Sequence, residues 1–191
     1  MAITLSEQHI IDSVSNWVET FVVGMNLCPF AKRELIKNRI HFQLSDAHTE
    51  AELLEELQVE LERLSNDDKI ETTLLIHPQV LQDFFDYNQF LDYADALLVQ
   101  QKLDGIYQIA SFHPHYQFGG TQACDAENFT NRSPYPILHI LREESLANAI
   151  DQHPDSDSIP VKNIELMNTL GTEKLSQLLQ QCSNPNPPKY H

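Results

Sequence analysis

The feature that most constrains this chain is a pair of short apolar runs that both end in His-Pro. TTLLI (72–76) leads into His77-Pro78, and IYQIASF (106–112) leads into His113-Pro114. Runs of this length and composition read as buried strands. The proline lacks a ladder donor and holds the residue before it extended, so each strand stops there and sets an imidazole at the rim of a sheet. IHFQL (40–44) reads as a third strand. Helical patterns separate the three. Thr49-x-x-Glu52 is a capping box ahead of Leu53, Leu57, Leu61 and Leu64, and a second helical stretch runs from Pro78 to about 102, with a break expected near Tyr87-Asn88. Helical crossovers favour parallel strands, so the expected fold class is α/β, with a small, mainly parallel sheet of about three strands flanked by helices. Ser45-Asp46, His77 and His113 would then share the carboxyl edge, where such sheets bind ligands.

The remaining segments read as helices and one long loop. Ile10, Val14, Trp17, Phe21 and Met25 predict a helix over about 6–24, stopped near Gly24. Pro29 suits the first turn of a short second helix, which makes Cys28 its N-cap. Residues 113–133 show no periodicity, and a loop of that length is more often functional than idle. Pro134 or Pro136 is expected to open a helix to about 150. A polar linker (151–159) and two C-terminal helices (about 160–170 and 172–182) follow. The organisation expected is one α/β domain over 1–182 with a flexible tail, 183–191.

Charge narrows the function. With 28 acidic against 12 basic residues the formal net charge is −16. Such a surface repels phosphate backbones and anionic bilayers, so neither nucleic acid nor membrane is an expected partner. No apolar run approaches the roughly 18 residues of a membrane span. Cys28, Cys124 and Cys182 have no metal or disulfide spacing, and MAITLSEQHI lacks the pattern of a signal peptide. A cytoplasmic location with reduced thiols is expected. The matches to the glycosylation pattern at Asn128 and Asn131 are then fortuitous. Nothing in the sequence sets an oligomeric state or names a cofactor.

Candidate chemistry gathers in three stretches. His77 and His113 could act as base and acid near neutral pH, or simply cap their strands. His113-x-His115 has a spacing used by metal sites, but it stands alone and would need His139, with Asp46 or Asp125, to complete it. Cys28 at a helix N-terminus, with Lys32 one turn on, is expected to have a lowered pKa. The competing reading is a small buried thiol. In NRSPYPILHILRE (131–143), Ser133 is a candidate cap, and His139, Arg142 and Glu143 would share one helical face. Asn131, Arg132, Ser133, Tyr135 and Arg142, with Lys32 and Tyr116, are the candidate ligand-binding groups. Basic residues cluster in 32–39 and 132–142, which suits a small anionic ligand if both windows face one rim. Gly119-Gly120 is a flexible turn and not a phosphate cradle.

MNLCPFAKRE, ASFHPHYQFGGT and NRSPYPILHILREES, in this order and spacing, resemble the bacterial and plant family called domain of unknown function 1415, over nearly the whole chain. The resemblance implies a single cytosolic domain with no established activity and no catalytic residue to carry over. This chain has His115 where the family more often reads HPDY, which weakens an obligatory HxH metal pair.

Three functional readings follow. The leading one is an enzyme-like site at the sheet rim, where Cys28, His77, His113 and His139 act on a small anionic substrate by hydrolysis or group transfer. The second is a non-catalytic binding module for a small molecule or protein, with Phe112, Tyr116, Phe118 and Tyr135 as walls. The third is a buried polar network that only fixes the long loop. An open cleft, an apolar groove and a closed bonded layer, respectively, would tell them apart.

Overall fold

A computed structural model describes residues 5–153 and 155–183. Four strands form one sheet: β1 (Ile40–Leu44), β2 (Thr72–Ile76), β3 (Tyr107–Phe112) and β4 (Ile137–Arg142). Their order is β1-β2-β4-β3. β1 and β2 are parallel, while β4 runs antiparallel to both β2 and β3. The sheet is therefore mixed and four-stranded, not mainly parallel and three-stranded as expected.

The correction lies in ILHILR (137–142), which forms β4 and not the first turns of a helix. The β2-to-β3 crossover leaves a gap one strand wide, and β4 fills it from the opposite direction. A central strand is covered on both faces, so Ile137, Leu138 and Ile140 are all fully buried and show no alternation. Only the residues after it are helical, in α5 (Glu143–Asp151). Because β4 alone is reversed, the carboxyl ends of β1, β2 and β3 still share one rim.

Two helices cover one face. α3 (Glu50–Asn66) begins at the expected capping box: Thr49 Oγ1 accepts from the Glu52 N–H at 3.2 Å, and the Glu52 carboxylate accepts from the Thr49 N–H at 3.0 Å. Its Leu53, Leu57, Leu61 and Leu64 are buried against Leu75 and Leu138, and full burial of such a side chain stabilises by about 1.5–3 kcal/mol. α4 (Phe84–Gln100) is continuous through Tyr87-Asn88, where a break was expected, because Tyr87, Phe90 and Ala94 lie on its sheet-facing side. It starts six residues after Pro78, so 78–83 is a turn.

The other face carries α1 (Leu5–Trp17), α6 (Ile159–Leu170) and α7 (Thr172–Ser183), with a 3-10 turn, Ala126–Thr130, inside the long loop. Trp17, Phe21, Met167 and Leu175 pack there on Leu74, Ile76 and Ile137. α1 widens into a π-helical turn, Val18–Val23, ahead of Gly24. A Cβ at Gly24 would stand 2.2 Å from the Thr20 carbonyl oxygen, so this wide turn requires glycine. Gly171, at φ 76°, makes the reversal between α6 and α7. The expected linker contains a short 3-10 turn, Ser156–Ser158, and the expected tail lies outside the described residues except for Ser183.

Candidate functional site at the sheet rim

β2 and β3 deliver His77 and His113 to the same rim and the same face, against α4. Both imidazoles are fully buried. The Tyr87 ring neighbours both, with centroids 5.7 Å from His77 and 5.0 Å from His113. Its hydroxyl donates to the Ile137 carbonyl at 2.7 Å and accepts from the Phe112 N–H at 3.1 Å. Tyr87 thus closes the last rung between β3 and β4 from outside the sheet.

The two histidines grip successive carbonyls of the turn that leads into α4. His77 Nδ1 donates to Val80 O at 3.1 Å, and His113 Nε2 donates to Leu81 O at 3.2 Å. The His115 N–H donates to His113 Nδ1 at 3.0 Å, which fixes the His113 proton on Nε2. Leu81 has φ 56°, a conformation a bulky side chain rarely adopts, and the two imidazoles help hold it there. The histidines' own N–H groups are bonded to Pro136 O and Asn131 O.

These contacts decide the charge. Burial pushes the pKa of His77 and of His113 down to about 4; the bonds to Val80 O and Leu81 O oppose that shift only partly. Proximity of His113 to His77, and of His115 to His113, lowers them further. Both rings are neutral at pH 7. His113 has both nitrogens engaged. His77 Nε2 is buried and has no hydrogen-bond partner among the described residues.

Above this closed layer the loop forms a partly exposed aromatic ledge. Tyr116 lies 5.0 Å from Phe84 and 4.9 Å from Phe118, centroid to centroid. The His115 side chain is exposed beside it. Arg132 props the ledge: Nε donates to Tyr116 O at 3.2 Å, Nη2 donates to Ala123 O at 2.7 Å, and the guanidinium covers the Phe129 ring at 4.6 Å. Partial burial lowers its pKa, but an arginine stays cationic. Asn128, fully buried, organises the loop by accepting from the Phe118 N–H and the Thr121 hydroxyl and donating to Gln122 O.

The family model described as protein of unknown function (DUF1415) matches residues 9–177. The chain belongs to this family. No curated protein and no solved structure matches it significantly.

The remaining expected site residues of this DUF1415 chain fall into two groups. Asn131 and Ser133 are at the rim but bonded internally: Asn131 Nδ2 donates to Ser111 O at 3.0 Å and Ser133 Oγ to Tyr135 O at 2.6 Å. No helix starts there for Ser133 to cap or for an anion to occupy. Tyr135 packs on the α1 side of the sheet. His139, three residues before Arg142 on a strand and not on a shared helical face, points to that same side. Its Nε2 donates to the Thr72 hydroxyl at 2.7 Å, and burial lowers its pKa to about 4.

Arg142 sits at the opposite rim, where Nη2 donates to Leu64 O at 2.6 Å and Ile70 O at 3.1 Å, and Nη1 to the Tyr107 hydroxyl at 3.3 Å. Arg39 binds Glu71 at that rim too, while Arg132 lies at the histidine rim, so the 132–142 window is split between the two rims. Cys28 is no N-cap. The chain turns once more, and α2 (Ala31–Ile36) starts after Phe30. Burial raises the Cys28 pKa, against the lowering expected, and backbone bonds from Ala31 and Phe30 only reduce the rise. Lys32 is exposed on α2. Among the described residues no group of three or more His, Cys, Asp or Glu side chains is placed to hold a metal, and no helix is long and apolar enough to cross a membrane.

Sequence reasoning missed Phe84, Tyr87 and Asn128. Tyr87 was in view, but a tyrosine-asparagine pair read as a helix break. The signal that identifies it is its helical phase with Phe90 and Ala94.

Proposed function

We propose that this DUF1415 chain is a non-catalytic binding module for a small anionic molecule with a flat apolar portion, held on the ledge of Phe84, Tyr116 and Phe118. One observation carries the reading: the two rim histidines are enclosed and neutral, while the aromatic surface directly above them stays partly open. A closed, bonded base suits a rigid platform better than proton transfer, because a group of pKa about 4 is a weak base and carries no proton to give at pH 7. Rings supply contact area at low entropic cost, and the exposed His115 and the Arg132 guanidinium supply the polar end. The enzymatic alternative would need His139 to act with the rim pair, and His139 lies on the opposite face of the sheet.

The test uses benzoate and inorganic phosphate as probes in an amide-resolved NMR titration. Millimolar benzoate should shift the amides of residues 115–118 and 132, and phosphate alone should shift them less. His115→Ala, which keeps the backbone N–H that bonds His113, should weaken benzoate at least threefold. Shifts spread over the surface, or benzoate binding unchanged by His115→Ala, would overturn the proposal.

A further inference from the structure

β1 is an edge strand whose outer side is open. Arg39 O accepts from the Glu71 N–H at 2.9 Å, and the Ser45 N–H donates to Ile76 O at 2.8 Å, so both ends of β1 bond towards β2. Backbone bonds alternate along a strand, and the two strands keep an unbroken register from Ile40↔Thr72 to Leu44↔Ile76. His41 and Gln43 therefore face β2 as well, and the N–H and C=O groups of Ile40, Phe42 and Leu44 point outward. Among the described residues only the Gln43 side chain reaches any of them, donating to Leu44 O at 2.9 Å.

Folded proteins blunt such edges with lysine, proline, a bulge or a cover. β3, the opposite edge, is treated in this way. The Tyr107 N–H is bonded to Leu103 O at one end, and at the other Asn131 donates to Ser111 O at 3.0 Å and accepts from the His113 N–H at 3.2 Å. β1 has no lysine, proline or bulge. Its Ile40, Phe42 and Leu44 pack on the α1 side of the sheet and stay partly exposed. The two ends of β1 also differ in charge. Four of the chain's 12 basic residues lie in 32–39, just before it, while 46–56, just after it, holds five acids and no Lys or Arg. Lys37 and Asp46 are exposed and have no ion-pair partner among the described residues.

We propose that two copies of this chain pair β1 against β1, antiparallel about Phe42, and so join their four-stranded sheets into one. Ile40 of each copy then faces Leu44 of the other, and Phe42 faces Phe42. The outward residues exchange their ladder bonds, and Lys37 of each copy comes beside Asp46 of the other. The charge gradient along the strand favours this arrangement, because a two-fold axis brings a basic end to an acidic end twice. A foreign strand would need the same gradient reversed, which this chain itself supplies. The net charge of −16 on each body opposes association at long range, but at physiological salt that repulsion is screened beyond about 8 Å. A seam of one strand is small, so the dimer is micromolar and reversible. This pairing does not depend on the ligand ledge.

The experiment is sedimentation velocity of the full chain over rising concentration, with amide hydrogen exchange measured at the lowest and the highest. The mass should double at micromolar concentration. The amides of Ile40, Phe42 and Leu44 should gain protection about tenfold or more, while those of His41 and Gln43, already bonded to β2, should change little. Lys37→Glu and Asp46→Lys should each weaken the dimer about tenfold. An equimolar mixture of these two variants should regain it, since each then meets its opposite. Both side chains are exposed, so neither substitution disturbs the core. A chain that stays monomeric to millimolar concentration would overturn the proposal. So would a dimer whose three outward amides stay unprotected, or a variant mixture that regains nothing. Protection of those amides by an added extended valine–threonine peptide, with no self-association, would overturn it in favour of a foreign strand.

Discussion

The two rims of the sheet do the same job with different chemistry. At one, Arg142 from the end of β4 reaches the carbonyls of Leu64 and Ile70, where α3 ends and the chain turns into β2. At the other, His77 and His113 from the ends of β2 and β3 reach the carbonyls of Val80 and Leu81, where the chain turns into α4. The last turn of a helix leaves carbonyls unpaired and carries partial negative charge, so a cation fits there. The turn into α4 approaches the positive end of a helix, and the Val80 and Leu81 that meet the imidazoles are buried. A cation would be repelled and desolvated, and the donors available without charge are neutral imidazoles. What distinguishes the rims is therefore which end of a helix each one meets.

Acidification should break this symmetry most strongly. His77, His113 and His139 each have a folded-state pKa of about 4 against 6.5 in the unfolded chain. The unfolded chain thus takes up protons first as pH falls, and stability drops. The contribution is complete above pH 6.5, declines as pH falls towards 4, and levels off below. Each shift corresponds to about 3 kcal/mol at its limit. Urea unfolding between pH 7.5 and 5 should show a steep loss below 6.5, which His77→Asn makes shallower by about one proton. The arginine rim contributes nothing to that slope.

Tyr87→Phe comes next. It leaves the Phe112 N–H and the Ile137 carbonyl without the hydroxyl that joins them. A loss of about 2–4 kcal/mol is expected in urea unfolding at pH 7.5, with the pH slope retained because the imidazoles stay buried. Arg142→Lys should cost less, about 1–2 kcal/mol, since an ammonium cannot reproduce the fork that reaches several carbonyls at once. Its cost should be the same at pH 7.5 and pH 5.5, which sharpens the contrast with the histidine rim.

How much of this was legible in the sequence depends on how local each signal is. The three runs ending at Leu44, Ile76 and Phe112, and the Thr49–Glu52 box, are set by neighbouring residues, and they read correctly. ILHILR did not, because a strand buried on both faces loses its alternation and two prolines before it imitate a helix start. Its slot between β2 and β3 is a non-local fact. The placement of His77 and His113 at one rim was readable from the proline after each. Bonding to nearby backbone was one of two roles the sequence left open; which carbonyls they hold was not legible, because that rests on Leu81 adopting a left-handed backbone, which no feature of a leucine announces. Cys28 misled for a smaller reason: the chain turns once more, through Phe30, before its helix begins.

The central claim is that His77 and His113 are uncharged clamps of the turn into α4. Long-range nitrogen–proton NMR of the imidazole rings tests it most directly. The account predicts a proton on Nδ1 of His77 and on Nε2 of His113, with neither ring titrating between pH 7.5 and 5. A ring that titrates near pH 6.5, or a pair exchanging between tautomers, would contradict it.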